Sequence, residues 1–156
     1  MSIGTKTESE TVVEEGSWVS GMLAGIAGGV VMAAAMIAMG ALPVLAGAIP
    51  GLYTLAPPAN PAVGLFVHLS HGAVLGVVFL AVLNAAGVRD PRGIVAAALG
   101  YGVVTWVVLA ALVMPVWLGA AGFPNAPPFP NFAVPSLVWH LVYGATLGAV
   151  VVALER

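Results

Sequence analysis

The feature that most constrains this fold is the distribution of charge along the chain. No Asp, Glu, Lys or Arg occurs between Gly16 and Val88, or again between Gly93 and Leu154. A transmembrane helix needs about 20 consecutive apolar residues, so each charge-free stretch has room for two crossings. Only 6% of the residues are charged, whereas soluble domains carry about 25%. The sequence therefore predicts an all-helical integral membrane protein with four transmembrane helices.

Proline and aspartate positions predict where these helices begin and end. The predicted helices cover about residues 18–42, 62–86, 91–114 and 135–154. Pro43 and Pro115 are expected to end the first and third helices, because proline lacks the amide hydrogen that a helix interior requires. Asp90 is expected to cap the third helix, with Pro91 as its first helical residue.

The basic residues predict the orientation in the membrane. Lys6 precedes the first helix, Arg89 and Arg92 lie between the second and third helices, and Arg156 ends the chain. With four crossings these places share one side, and the positive-inside rule puts both termini in the cytoplasm, at the inner membrane. The other two loops are apolar, uncharged and rich in proline. We expect them to lie in the membrane interface or to pack on the bundle.

A 72-residue repeat relates the two halves of the chain. The pattern H-L-x-x-G-A-x-L-G occurs at residues 68–76 and again at residues 140–148. Each copy is a helical hairpin, and an even number of crossings gives both copies the same orientation. We therefore expect a parallel repeat with a pseudo-twofold axis along the membrane normal. The predicted division is a polar acidic cytoplasmic tail at 1–16 and a four-helix membrane domain at 17–156, with repeat one at 17–87 and repeat two at 90–156.

Small residues spaced four apart predict the helix-packing faces, because such pairs let two helix backbones approach closely. The predicted packing residues are Gly21, Gly25 and Gly29 on the first helix, Gly72 and Gly76 on the second, and Gly144 and Gly148 on the fourth.

Two of the three histidines, His68 and His140, occupy equivalent repeat positions near the starts of the second and fourth helices. Ionisable residues inside a membrane usually face the bundle interior and are functional candidates. Three interpretations remain open at this point. Neutral imidazoles could form hydrogen bonds between helices, or haem b could be held between His68 and His140 on facing helices. Alternatively, His68, His71 and His140 could bind copper or zinc.

The remaining composition narrows the function. The chain has no cysteine, and therefore no thiolate metal site, and it has no basic patch for nucleic acid. Ser70 and His71 are adjacent on a helix and point about 100° apart, so they cannot act as nucleophile and base. No catalytic residue is assigned.

We therefore expect a small non-enzymatic accessory, assembly or small-ligand-binding subunit. The alternatives are a b-type cytochrome and an oligomeric proton or small-solute transporter. The expected partners are the lipid bilayer and either further copies of this chain or a larger membrane complex.

The fourth helix also carries a family resemblance. The pattern H-x-x-Y-G-x-x-L-G, formed by His140, Tyr143, Gly144, Leu147 and Gly148, resembles a group of small uncharacterised archaeal four-helix integral membrane proteins. The resemblance extends over the membrane domain. It implies the four-helix fold and no particular activity.

Overall fold

The computed structural model describes the backbone of residues 8–155 and the side chains of residues 18–155. This part of the chain is helical and contains no strand. Its four long helices are α1, Glu8–Ala38; α2, Pro61–Ala86; α3, Pro91–Ala120; and α4, Val134–Leu154. Each has a segment long and apolar enough to cross a membrane, with mean hydropathy between 1.9 and 2.2. The predicted all-helical fold with four membrane-length helices is confirmed.

The predicted boundary at residue 16 falls inside α1. This helix begins at Glu8, and its membrane-length apolar segment runs from Trp18 to Ala38. The first part of the predicted acidic tail, residues 1–7, and the terminal Arg156 lie outside the described residues.

α1 ends in a glycine cap rather than at the predicted proline stop. Gly40 has a φ of +79°, which favours glycine. The N–H of Ala41 donates to the Met36 carbonyl at 2.8 Å, and the N–H of Gly40 donates to the Ile37 carbonyl at 3.0 Å. These two bonds form a Schellman motif, which satisfies the last carbonyls of the helix. α1 therefore ends before Pro43.

The other predicted helix ends are close to those observed. The side chain of Asn60 accepts from two of the first backbone N–H groups of α2, at 3.0 and 3.2 Å. α2 ends at Ala86 and is followed by a capping glycine, Gly87, which has a φ of +66°. Asp90 Oδ1 accepts from the N–H of Gly93 at 2.7 Å, and Pro91 is the first residue of α3. The predicted cap at Asp90 is confirmed.

The prediction that Pro115 ends the third helix is wrong. α3 passes through Pro115 and continues to Ala120, and its middle stretch Trp106–Val113 is a π-helix. A proline normally leaves the carbonyl four residues earlier without its helical donor. Here that carbonyl belongs to Ala111, and it accepts from the N–H of Asn131 at 2.9 Å. The following loop therefore supplies the donor that Pro115 lacks.

The loop after α1 uses the same arrangement. It contains a short π-helical stretch, Val44–Ala48, followed by one turn that includes Pro50. The carbonyl four residues before this proline is that of Ala46, and it accepts from the N–H of Asn60 at 2.8 Å. The carbonyl left without a helical donor is thus paired with a protein donor rather than with lipid, which cannot donate. Most of this stretch is buried against the bundle.

The four helices do not contact one another equally. α1 packs along both α2 and α4, and α4 also packs along α3, whereas α2 and α3 make few contacts. Among these few, the rings of Tyr101 and Phe79 lie 5.3 Å apart, and the Tyr101 hydroxyl donates to the Leu75 carbonyl at 3.0 Å. The bundle is consequently least closed between α2 and α3.

The contact between α1 and α2 is made by glycine backbones. A Cβ atom added to Gly72 would lie 2.6 Å from the carbonyl oxygen of Gly25, and one added to Gly21 would lie 2.7 Å from that of Gly76. A Cβ added to Gly25 would overlap the Gly72 carbonyl oxygen. Any larger residue here would push the two helices apart.

The contact between α3 and α4 is built similarly. A Cβ atom added to Gly144 would overlap the carbonyl oxygen of Ala98, and one added to Gly148 would lie 2.8 Å from the Ala98 Cβ. On α3, Gly102 lies against the backbone of Gly144 and the preceding turn of α4. Ala98 and Gly102 are packing positions that the sequence analysis did not include.

Candidate ligand-binding cavity

A cavity of about 540 Å³ lies inside the bundle, toward the end that carries the loops 39–60 and 121–133, called here the loop end. Its wall is formed by all four helices and by the loop after α1. The three histidines of the sequence, His68, His71 and His140, all line it. The rest of the wall is mostly apolar. The sequence analysis placed His68 and His140 at equivalent positions, and the structure brings both to one cavity.

The cavity follows from the way the helices separate. Close glycine packing holds α1 against α2 near His68, whereas α2 and α3 make few contacts. Val74 of α2 and Val113 of α3 both line the cavity and are 63% and 47% exposed. The cavity therefore reaches the surface of the bundle between α2 and α3.

His68 is the buried histidine of the wall. Its Nε2 lies 3.1 Å from the carbonyl oxygen of Gly29 on α1. A carbonyl oxygen only accepts hydrogen bonds, so Nε2 must carry the ring proton. In the neutral imidazole, Nδ1 of His68 is then an acceptor.

His140 has the opposite arrangement. Its Nδ1 lies 2.7 Å from the carbonyl oxygen of Ser136, one turn earlier in α4. Nδ1 therefore carries the proton, and Nε2 is the acceptor in the neutral ring. The first histidine thus bonds across to a neighbouring helix, whereas the second bonds within its own helix.

The second nitrogen of each ring is open to the cavity. Among the side chains of residues 18–155, a single fully buried nitrogen or oxygen atom lacks a hydrogen-bond partner, and this atom is Nε1 of Trp106. His68 Nδ1 and His140 Nε2 have no protein partner, yet neither is sealed within the protein. Because both rings line the cavity, these two acceptor nitrogens are accessible from it.

His71 pairs with the loop after α1. Its Nε2 lies 2.6 Å from the hydroxyl of Tyr53, and the two ring centroids are 5.6 Å apart. Tyr53 is 54% exposed, so this pair forms a rim of the cavity rather than its interior. The pair connects the loop to α2.

Most hydrogen-bond donors in the wall are already bound to the protein. The Tyr143 hydroxyl donates to the Gly72 carbonyl at 3.0 Å, and the Thr105 hydroxyl lies 3.0 Å from two carbonyls of its own helix. The indole N–H of Trp139 points at a methionine sulfur at 3.1 Å, and that of Trp117 donates to the Leu52 carbonyl at 2.8 Å. These donors fix the shape of the wall.

The chemistry of the donor set fits a bis-histidine haem only in part. A histidine that binds a metal usually donates its other ring N–H to a carbonyl or carboxylate. His140 satisfies this pattern, because Nδ1–H is bound to Ser136 and Nε2 is open. His68 does not, because its Nε2 is bound to Gly29. The loops at this end also contain no basic residue to pair with the propionates.

The predicted copper or zinc ligands His68, His71 and His140 share the cavity without forming a metal-binding cluster. No group of three or more His, Cys, Asp or Glu side chains within the described residues is arranged to hold a metal ion. One nitrogen of each ring is directed to a different protein partner: the Tyr53 hydroxyl for His71, the Gly29 carbonyl for His68 and the Ser136 carbonyl for His140.

Comparison with known proteins gives a family. A family model described as "Family of unknown function (DUF6789)" matches residues 16–156. The chain belongs to this family. No curated protein and no solved structure matches the chain. The match includes the apolar segments of all four helices and every residue that lines the cavity.

Three polar residues of the cavity wall were not identified as site residues in the sequence analysis. Tyr53 and Ser136 lie in or next to proline-rich segments, and Thr105 lies in an apolar helix. Two further polar residues, Ser70 of α2 and Thr146 of α4, bond to carbonyls of their own helices at 2.8 and 2.9 Å. The position of a polar residue in a helix does not by itself show whether its side chain lines the cavity or bonds within its own helix.

Proposed function

We propose that this chain is a non-enzymatic multi-pass membrane protein that binds a small, largely apolar ligand in the histidine-lined cavity. The observation that carries the proposal is the meeting of all three histidines in one apolar cavity of about 540 Å³. Ligand pockets are typically about 300–1,000 Å³, mostly apolar, with a few placed polar groups. Among the described residues, no charged side chain lines the cavity, which favours an uncharged ligand.

The opening between α2 and α3 supports access from the bilayer. Val74 and Val113 belong both to the cavity wall and to the exposed surface of the helices. A ligand dissolved in lipid would reach the cavity sideways, without crossing water. This route fits a wall that is mostly apolar and carries no charged side chain among the described residues.

The proposal includes the orientation derived from the basic residues. Arg89 and Arg92 lie at the end of the bundle opposite the cavity. We place the protein in the inner membrane with both termini in the cytoplasm, so the end that carries Arg89 and Arg92 is also cytoplasmic. The cavity then belongs to the outer half of the membrane.

The proposal also includes two parallel hairpin repeats related by a pseudo-twofold axis. Glycine packing supports this, because the Gly25–Gly72 contact of the first hairpin has a counterpart in the Ala98–Gly144 contact of the second. Gly72 of α2 and its counterpart Gly144 of α4 are 72 residues apart, whereas Gly25 of α1 and its counterpart Ala98 of α3 are 73 residues apart. The symmetry is incomplete, since α1 and α4 pack closely while α2 and α3 separate around the cavity.

Photolabelling of the protein in lipid nanodiscs tests the binding role. The probe is an alkyl diazirine of ten carbons, with unlabelled 4-decylphenol as competitor. We expect competitor-sensitive labels on Val74, Leu109 or Val113, which line the cavity. Phe66, which is 73% exposed and lies outside the cavity, is the internal control and should be labelled without competition. A saturable site would be contradicted if the competitor reduced labelling at no residue, or if it reduced labelling at Phe66 as much as at the cavity residues.

A b-type cytochrome is the second candidate, and the open Nε2 of His140 is the observation that favours it. Haem would supply electron transfer, and Nε2 of His140 would bind its iron. An absorption spectrum of the detergent-solubilised protein tests this. A Soret band that disappears in His140→Ala would establish haem, whereas a colourless protein would exclude this candidate.

A further inference from the structure

We infer that the ligand carries a hydroxyl group: it is an apolar alcohol or phenol that donates a hydrogen bond to His68 Nδ1 or His140 Nε2. This inference rests on the proposed binding function and specifies its ligand class. It follows from which nitrogen of each imidazole is already used.

Both interior histidines present acceptors rather than donors. Each donates its one ring proton to a backbone carbonyl, that of Gly29 for His68 and that of Ser136 for His140. A neutral imidazole has one proton, so the remaining nitrogen of each ring can only accept. The cavity interior therefore offers two unpaired acceptors.

The donors of the interior wall are used elsewhere. The hydroxyls of Thr105 and Tyr143 donate to backbone carbonyls, and the Trp139 indole N–H is directed at sulfur. None of these groups has a proton left for a ligand. A ketone, a quinone or an ether would therefore find no donor at these positions.

Two groups at the edge of the cavity differ from the interior. The pair of Tyr53 and His71 has two protons and one mutual hydrogen bond, so one proton stays available at the rim. The Ser136 hydroxyl can either donate or accept. Neither group changes the requirement of the two histidine nitrogens for a donor.

A ligand that has no hydrogen-bond donor would exclude water from the two histidine acceptor nitrogens and leave them without a hydrogen-bond partner. An unsatisfied buried polar group is costly, whereas a hydroxyl pairs with one of the nitrogens directly. We expect a hydroxylated ligand to bind about tenfold more tightly than its methyl ether, which has nearly the same shape and no donor.

The test compares 4-decylphenol with 4-decylanisole by titration calorimetry of the protein in nanodiscs, with empty nanodiscs subtracted. A second pair, 1-dodecanol and dodecyl methyl ether, distinguishes a phenol site from one for aliphatic alcohols. The expected result is a preference for the hydroxylated member in at least one pair. Equal affinity within both pairs would overturn the donor requirement while leaving the binding function intact. No saturable binding of any probe would overturn both.

Two variants assign the preference to the histidine. His140→Phe removes the acceptor and keeps an aromatic ring, so it should reduce the phenol preference toward unity while anisole still binds. Phe66→Leu, on the exposed surface outside the cavity, is the control and should keep the full preference. A preference that survives in His140→Phe and in His68→Phe would overturn the assignment. If a variant does not fold, the comparison of probes on the wild-type protein still decides the donor requirement.

Discussion

Replacing Gly25 by alanine should separate α1 from α2, although alanine is the better helix former. The added Cβ would overlap the Gly72 carbonyl oxygen and lie 2.9 Å from its carbon and 3.0 Å from Gly76 Cα. Carbon atoms normally make contact at about 3.5–4.0 Å. Overpacking of this kind costs about 1–3 kcal/mol, partly offset by about 0.4–1 kcal/mol from the lost backbone freedom of glycine. We expect a net destabilisation of about 1–2 kcal/mol.

Gly100→Ala is the matched control, because it lies inside α3 and an added Cβ would meet nothing within 4 Å. Gly100→Ala should therefore show only the stabilisation from the lost backbone freedom of glycine, so the two variants should differ by the overpacking cost, about 1–3 kcal/mol. The assay is unfolding of the purified protein by titration with SDS from mixed micelles, followed by circular dichroism. If Gly25→Ala is as stable as Gly100→Ala, the close approach of α1 and α2 is refuted.

Three further predictions concern single contacts. Tyr143→Phe removes the hydrogen bond from α4 to the Gly72 carbonyl and should destabilise by about 0.6–1 kcal/mol in the same unfolding assay; a change near zero would show that the hydroxyl is not bound there. Asn60→Ala removes the cap of α2 and should cost about 1 kcal/mol, whereas Asn60→Asp, which retains the acceptor, should cost little; equal losses in both variants would contradict capping. A reporter fused after residue 156 should be active in the cytoplasm, and activity on the opposite side of the membrane would reverse the proposed orientation.

Much of the fold could be predicted because a membrane limits the alternatives. Two charge-free stretches bounded by Gly16 and Val88, and by Gly93 and Leu154, leave room for four helices. Lipid provides no hydrogen-bond partners, so a crossing segment must pair its own backbone groups, and uninterrupted apolar runs of this length favour helices. The cap at Asp90 could also be predicted, because its acceptor lies within one turn of its donor.

The course of α3 could not be predicted, because it depends on a distant contact. The helix continues through Pro115, and the carbonyl of Ala111, four residues earlier, accepts a hydrogen bond from the N–H of Asn131, which lies beyond the end of the helix. In the sequence this donor is one polar residue of a proline-rich loop. Nothing near Pro115 indicates that the loop folds back to supply it.

The histidines show the same limit at the site. His68 and His140 occupy equivalent repeat positions, and both line one cavity. Their hydrogen bonds differ, however: His68 bonds through Nε2 to α1, and His140 bonds through Nδ1 within α4. This difference arises from the local backbone, since the carbonyls of Gly29 and Ser136 come within reach of different ring nitrogens. A sequence pattern does not specify such distances.

The separation of α2 from α3 also could not be predicted from the sequence repeat. A perfect twofold axis would make the α2–α3 contact equal to the α1–α4 contact, and it would close the bundle. The structure has one close contact and one sparse contact, and the cavity occupies the difference.

The most direct test of the cavity is a binding isotherm for 4-decylphenol with the protein in nanodiscs, measured for the wild type and two variants. Ala110→Phe places an aromatic ring in the cavity wall, whereas Ala153→Phe places the same ring at an exposed position outside it. The cavity predicts one saturable site in the wild type and in Ala153→Phe, and loss of that site in Ala110→Phe. The same uptake in all three proteins and in empty nanodiscs would show that the probe only dissolves in lipid, and would contradict a binding function for this cavity.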